Sequence, residues 1–178
     1  STFPGTIERP RRAAIDAKDI AVADGDSVKI FSHDGALRFT VGSGGSRDGE
    51  FYDIGGLHLA DYLYVADTGN RRVQMFTRDG ILVNKLADAG GRDQPVRVGR
   101  PVAVVTDAQR NIYVADGDSR VVQVFSAARE WRHALGGAGR YESLQGLGVD
   151  ADDRVYVHAS TERGRQVVDV YHGTELEF

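Results

Sequence analysis

The 178-residue sequence has no cysteine, which excludes a disulfide framework, a thiolate metal site and a cysteine nucleophile. Methionine and tryptophan occur once each, proline four times, and no aliphatic stretch runs beyond four residues, as at Val102 to Val105. Nothing approaches the roughly 20 apolar residues of a membrane-spanning helix, and no ten-residue stretch has the apolar spacing of an amphipathic helix. Lysine is scarce, since 19 of the 22 basic residues are arginine, while 19 of the 26 acidic residues are aspartate. With 41% hydrophobic residues the chain can bury a core. Its 22 glycines and many aspartates suit tight turns, because both residues tolerate unusual backbone angles.

A repeat organises what is present. Over positions 63–76 against 112–125, eight of fourteen residues are identical, and Leu63-Tyr-Val-Ala-Asp67 returns as Ile112-Tyr-Val-Ala-Asp116. Ile20-Ala-Val-Ala-Asp24 and Val155-Tyr-Val-His-Ala159 are weaker copies. An entry landmark precedes each copy, at Gly5-Thr-Ile7, Gly49-Glu-Phe51, Val96-Arg-Val98 and Gly139-Arg-Tyr141, so successive units start 44, 47 and 43 residues apart. That period, filled by four short alternating segments, is the size of one four-stranded propeller blade. In the second unit the segments read as strands at 57–60, 63–66, 72–76 and 81–86. Asp34-Gly35 and Asp79-Gly80 stand between the third and fourth strands, where Asp-Gly predicts a type I′ hairpin. Ala128-Arg129 replaces that pair in the third unit and predicts a turn of another type.

These units resemble NHL repeats, whose pattern is an aromatic entry, an inner strand, Tyr-Val-Ala-Asp-Thr-Gly-Asn-x-Arg-hydrophobic-Gln-hydrophobic-Phe and then Asp-Gly. Tyr64 to Gly80 follows it almost throughout, and the likeness extends from Gly5 to Phe178. Unit one departs from it in a shortened Asp24-Gly-Asp-Ser27 turn, and unit four in His158-Ala159 and a longer loop. The resemblance implies an all-β β-propeller of four-stranded antiparallel blades, typically six-bladed in this family. The chain is expected to form one propeller domain over 1–178, with repeats at about 5–48, 49–95, 96–138 and 139–178. Four units fit either a four-bladed ring or part of a larger propeller.

A meandering blade places the loops after each second strand, and the blade connectors, on one face. The first-to-second and third-to-fourth turns lie on the other. Counted this way, thirteen of the nineteen arginines fall on the loop face, whose charge sums to zero, whereas the turn face sums to −7. Arginine forks bind carboxylates bidentately and are enriched at interfaces. Arg71, Arg72, Arg120, Arg163 and Arg165, with Tyr52 as the one aromatic lacking counterparts in other units, are therefore the predicted partner-binding set. The expected partner is a protein or peptide. A neutral face argues against RNA, whose non-specific binding depends on excess positive charge.

Three further residues are candidates for metal binding. Asp24 and Asp116 head the repeated Asp-Gly-Asp-Ser segments, but no longer calcium-loop pattern follows, and capping of their own turns is the competing role. His58 stands on an inner strand where other units have Ala14, Val105 and Gly148. Propeller lyases and lactonases related to the family hold a metal near the axis, so His58 carries the enzymatic alternative, against which stands the lack of companion ligands. No catalytic residues and no cofactor are assigned. The sequence reading is a non-catalytic interaction scaffold, with a metal-dependent enzyme and an RNA-binding module as alternatives.

Overall fold

A computed structural model describes residues 7–87, 98–137 and 139–172. The architecture is an all-β propeller of four blades. The first contains β1 (Pro10–Ile15), β2 (Asp19–Asp24), β3 (Ser27–Ser32) and β4 (Leu37–Val41). The second contains β5 (Ile54–Leu59), β6 (Leu63–Asp67), β7 (Arg72–Phe76) and β8 (Leu82–Ala87), with a 3₁₀ turn at Thr68–Asn70. Next come β9 (Pro101–Thr106), β10 (Ile112–Asp116), β11 (Val121–Phe125) and β12 (Trp131–Leu135). Blade four contributes β13 (Ser143–Val149), β14 (Val155–Ser160) and β15 (Gln166–Tyr171). Each is a meander of antiparallel neighbours in chain order. The fourth strand expected in the last blade, and the entry at Val96 and Arg97, lie outside the described residues.

Strand alternation builds the seams between blades. Along β2, Ala21 and Ala23 face forward with Val28 and Ile30 of β3, and they meet Leu59, Leu63, Val65 and Phe76 of blade two. Tyr64, Ala66, Val73 and Met75 then meet Val104, Ile112, Val114 and Phe125. Tyr113, Ala115, Val122 and Val124 in turn meet Val155 and Val157. Residues of one parity on a strand thus serve the next blade and those of the other parity the previous one, as the two-residue period of a strand requires. The inner strands β1, β5, β9 and β13 pack in succession. No comparable packing joins β13 to β1 among the described residues.

Two turn expectations are corrected. At Asp34-Gly35 and Asp79-Gly80 only the glycines have positive φ, 89° and 81°, and their amides bond back to Ser32 and Thr77. This is a three-residue loop ending in a glycine bulge rather than a type I′ turn, and a separate register shift between Ile30/Phe31 and Met75/Phe76 passes over Arg38 and Val83 farther along the hairpins. Blade three does not change the turn type, because Arg129 adopts φ 69° and bonds back to Ser126 in the same way. The inner strand of blade two also starts earlier than expected. It begins at Ile54, with a bulge before Gly56 that the apolar pattern hides.

Candidate functional site

The aspartate that ends each of β2, β6 and β10 is buried and faces backbone donors. Asp24 accepts the amides of Glu8 and Arg9, along with Lys29 Nζ at 2.6 Å. Asp67 accepts the Tyr52 amide at 2.8 Å, Arg72 Nε at 2.7 Å and Gln74 Nε2 at 3.1 Å. Asp116 accepts the amides of Gly99 and Arg100 at 3.2 and 2.8 Å, as well as Asp118 N and Ser119 Oγ of its own loop. Burial alone would push the Asp24 carboxyl up. The Lys29 ammonium and the two amides outweigh it and hold the group below the usual carboxylate range. Both metal candidates among the aspartates are therefore anchors for the connector leading into their own blade. Capping of the local turn is only part of the role of Asp116, and the connector donors come from about fifteen residues upstream.

Those anchored connectors carry arginines toward the axis. Arg9, Pro10, Arg11, Asp26, Tyr52 and Asp53 line a cleft of about 540 Å³ on the loop face. A neighbouring space of about 310 Å³, reached past Arg11 and Asp53, is bordered by Arg12, Thr68 and Arg100. Arg11 Nη1 lies 3.1 Å from Asp53 Oδ1, and Arg12 Nε donates to the Gly55 carbonyl at 2.6 Å. Arg9, Arg12 and Arg100 are exposed and form no ion pair with a carboxylate among the described residues. Tyr52 is exposed at the cleft edge, and its ring lies over Gly69, where an added Cβ would sit 2.2 Å from a ring carbon. The Gly69 amide also donates to the Tyr52 carbonyl at 2.8 Å, so the aromatic is held against the Thr68–Asn70 turn.

The predicted arginines divide. Arg71 and Arg120 occupy equivalent loop positions with φ 55° and 59°, both exposed, while Arg163 and Arg165 are exposed on the loop between β14 and β15. All four lie on loops that follow the second strand of a blade. Arg72 does not belong with them: it is buried, and its guanidinium serves Asp67, Asp48 and the carbonyls of Arg47 and Glu50. As the first residue of β7, it points back under the connector, and its fork is used to hold that connector. Of the loop-face arginines, Arg92 and Arg97 lie outside the described residues. The sequence reading did not single out Arg9, Arg11, Arg12 and Arg100 as a set. Their signal is position, directly before or within an inner strand.

His58 is half-buried on β5, bonded through Nε2 to Thr106 Oγ1 on the next inner strand at 3.0 Å and tilted against the Tyr64 ring. Burial pushes its pKa down to about 4, against an opposing influence from the Asp16 charge. Its geometry is that of a neutral histidine linking two blades. Among the described residues no three His, Cys, Asp or Glu side chains come together as a metal site.

No protein-family model matches the sequence, and no curated protein matches it. Solved structures resemble its fold. The "Structure of U3-55K" superposes with a TM-score of 0.70 at 12% identity, covering 93% of this chain and 53% of that one. The "Crystal structure of Nidogen/Laminin Complex" gives 0.66 at 16% identity, over 96% of this chain and 66% of the other. The "computationally designed Ika4 protein" gives 0.62 at 13% identity, with 96% and 95% covered. A protein of unknown function from Bacteroides caccae gives 0.60 at 12% identity, and this chain spans 62% of its length. At these identities the likeness concerns the fold.

Proposed function

We propose that the chain is an NHL-type propeller acting as a non-catalytic binding scaffold, and that its loop face takes a protein or peptide bearing carboxylates. The single observation that supports this most is the arginine cleft beside Tyr52, with its backbone fixed by the buried carboxylates of Asp24, Asp67 and Asp116. A connector whose backbone is already fixed loses less freedom on binding than a mobile loop, which favours directional, bidentate contacts from the arginines that it carries. An aromatic beside arginine is the residue pairing enriched among interface hot spots. Arg71, Arg120, Arg163 and Arg165 form the outer rim, where charges influence approach and orientation more than final affinity. Nidogen, a fold neighbour, was solved in complex with laminin, which is a binding role for that protein and an analogy for this one.

The test uses a fluorescent acidic peptide of alternating Glu and Tyr as probe. Binding should fall at least tenfold in the double variant Arg11→Glu, Arg100→Glu. It should stay within twofold when Asp152 and Asp153 on the opposite face become Lys. Equal loss in both variants would contradict the assignment. Preference for single-stranded RNA, with affinity collapsing steeply as salt rises, would replace it with nucleic-acid binding.

A further inference from the structure

The first and last blades each present, toward solvent, a sheet face that elsewhere in the chain is a seam. On β15, Val168 and Val170 are 61% and 39% exposed, whereas their equivalents Val28 and Ile30, Val73 and Met75, and Val122 and Val124 are at most 4% exposed. His158 on β14 is exposed where Ala66 and Ala115 are buried. Backbone spacing agrees. A Cβ added to Gly56 on β5 would sit 2.9 Å from the Ala103 Cα of the next blade, so that inner strand already has a close neighbour. A Cβ on Gly146 or Gly148 of β13 would meet only His158 or Tyr156 of its own blade, at 4.0 and 3.9 Å. Glycine there leaves room for another backbone to approach.

The opposite end matches. Ile15 on β1 is 65% exposed although its equivalents Leu59 and Thr106 are buried, and Ala13 and Leu37 are exposed on the same side. Val22 and Phe31 of that side are already buried, which confines the uncovered strip to the half of the blade near the turn face. The two end faces are unlike each other, and each has the positions that its counterpart packs against at the three internal seams. A contact between unlike faces is heterologous and can close into a ring.

We infer that a second copy of this chain docks head to tail, the β13–β15 face of each copy covering the β1 face of the other, so that two copies close one larger propeller. The occupant follows from continuity with the existing interfaces. Any blade of this repeat type could complete one face, but a second copy supplies both missing partners at once and leaves neither end uncovered. A closed ring also removes the exposed apolar faces that otherwise promote indiscriminate association.

Light scattering after size-exclusion chromatography tests this at micromolar concentration. The wild-type chain should run at twice its 19.3 kDa mass. Val168→Asp and Ile15→Glu should each give monomers, and an equimolar mixture of the two should regain the pair, because one unaltered seam is then available. Circular dichroism checks that each variant remains β-sheet, with Val168→Ser and Ile15→Ser as milder replacements if either does not. A monomeric wild type, an open-ended series of larger assemblies, or loss of pairing in only one of the two variants would overturn head-to-tail closure.

Discussion

Asp67 and Arg72 show how a surface motif becomes an internal frame. The carboxylate joins the Tyr52 amide, Arg72 and Gln74, while Gln74 accepts the Gly49 amide and donates to the Glu50 carbonyl. Removing Asp67 leaves a buried guanidinium without its main counter-charge. Asp67→Ala should therefore lose about 3–5 kcal/mol in urea denaturation. Asp48→Ala, which deletes the exposed carboxylate paired with Arg72 and Lys85, should lose far less, because solvent screens that pair. Equal losses would contradict the division between frame and surface. His58 gives a pH signature. Its folded pKa of about 4 lies below the ordinary 6.5, so between these values the unfolded chain binds a proton that the folded chain refuses. Stability should thus fall as pH drops from 6.5 toward 4, by about 3 kcal/mol. Asp24 and Asp169, whose folded pKa values are depressed, lose their contributions only as pH falls below the ordinary carboxylate value of 3.8. His58→Gln should reduce the slope of the upper window, leaving the part due to His133, whose pKa burial also pushes down, and leave the lower window unchanged in pH-dependent thermal unfolding.

Strands and turns were legible in the sequence to different depths. The Tyr-Val-Ala-Asp repeats located β6 and β10 because apolar residues serve both faces of each strand, and Phe51 and Tyr141, which served only as landmarks of the repeat, are buried in the core. The turns were misread for a physical reason: Asp-Gly is compatible with more than one hairpin, and the bulge that distinguishes them depends on pairing across strands. Arg129 makes this measurable. It holds the left-handed conformation used by Gly35 and Gly80, which is about 1 kcal/mol unfavourable for a residue with a Cβ. Arg129→Gly should raise the thermal midpoint by a few degrees, whereas Gly35→Ala should lower it by a similar amount. A lower midpoint for Arg129→Gly would show that its side chain contributes more than its backbone strain removes.

At the scale of the molecule, periodicity announced the propeller, and charge counted by face indicated where arginine accumulates. Neither could distinguish Arg72, which is buried, from Arg71, which is exposed, since adjacent residues at a strand entrance point to opposite sides. Nor could they gather Arg9, Arg11, Arg12 and Arg100, which are separated by up to 91 positions in sequence yet border two connected spaces. Amide chemical-shift mapping of the isotopically labelled chain with the acidic peptide tests the proposal that the arginine cleft binds carboxylates. Concentration-dependent shifts should group at 9–12, 52–53, 69–71 and 100–102, with the turn face at 150–154 unaffected. Shifts concentrated on that turn face, or none at millimolar peptide, would contradict it.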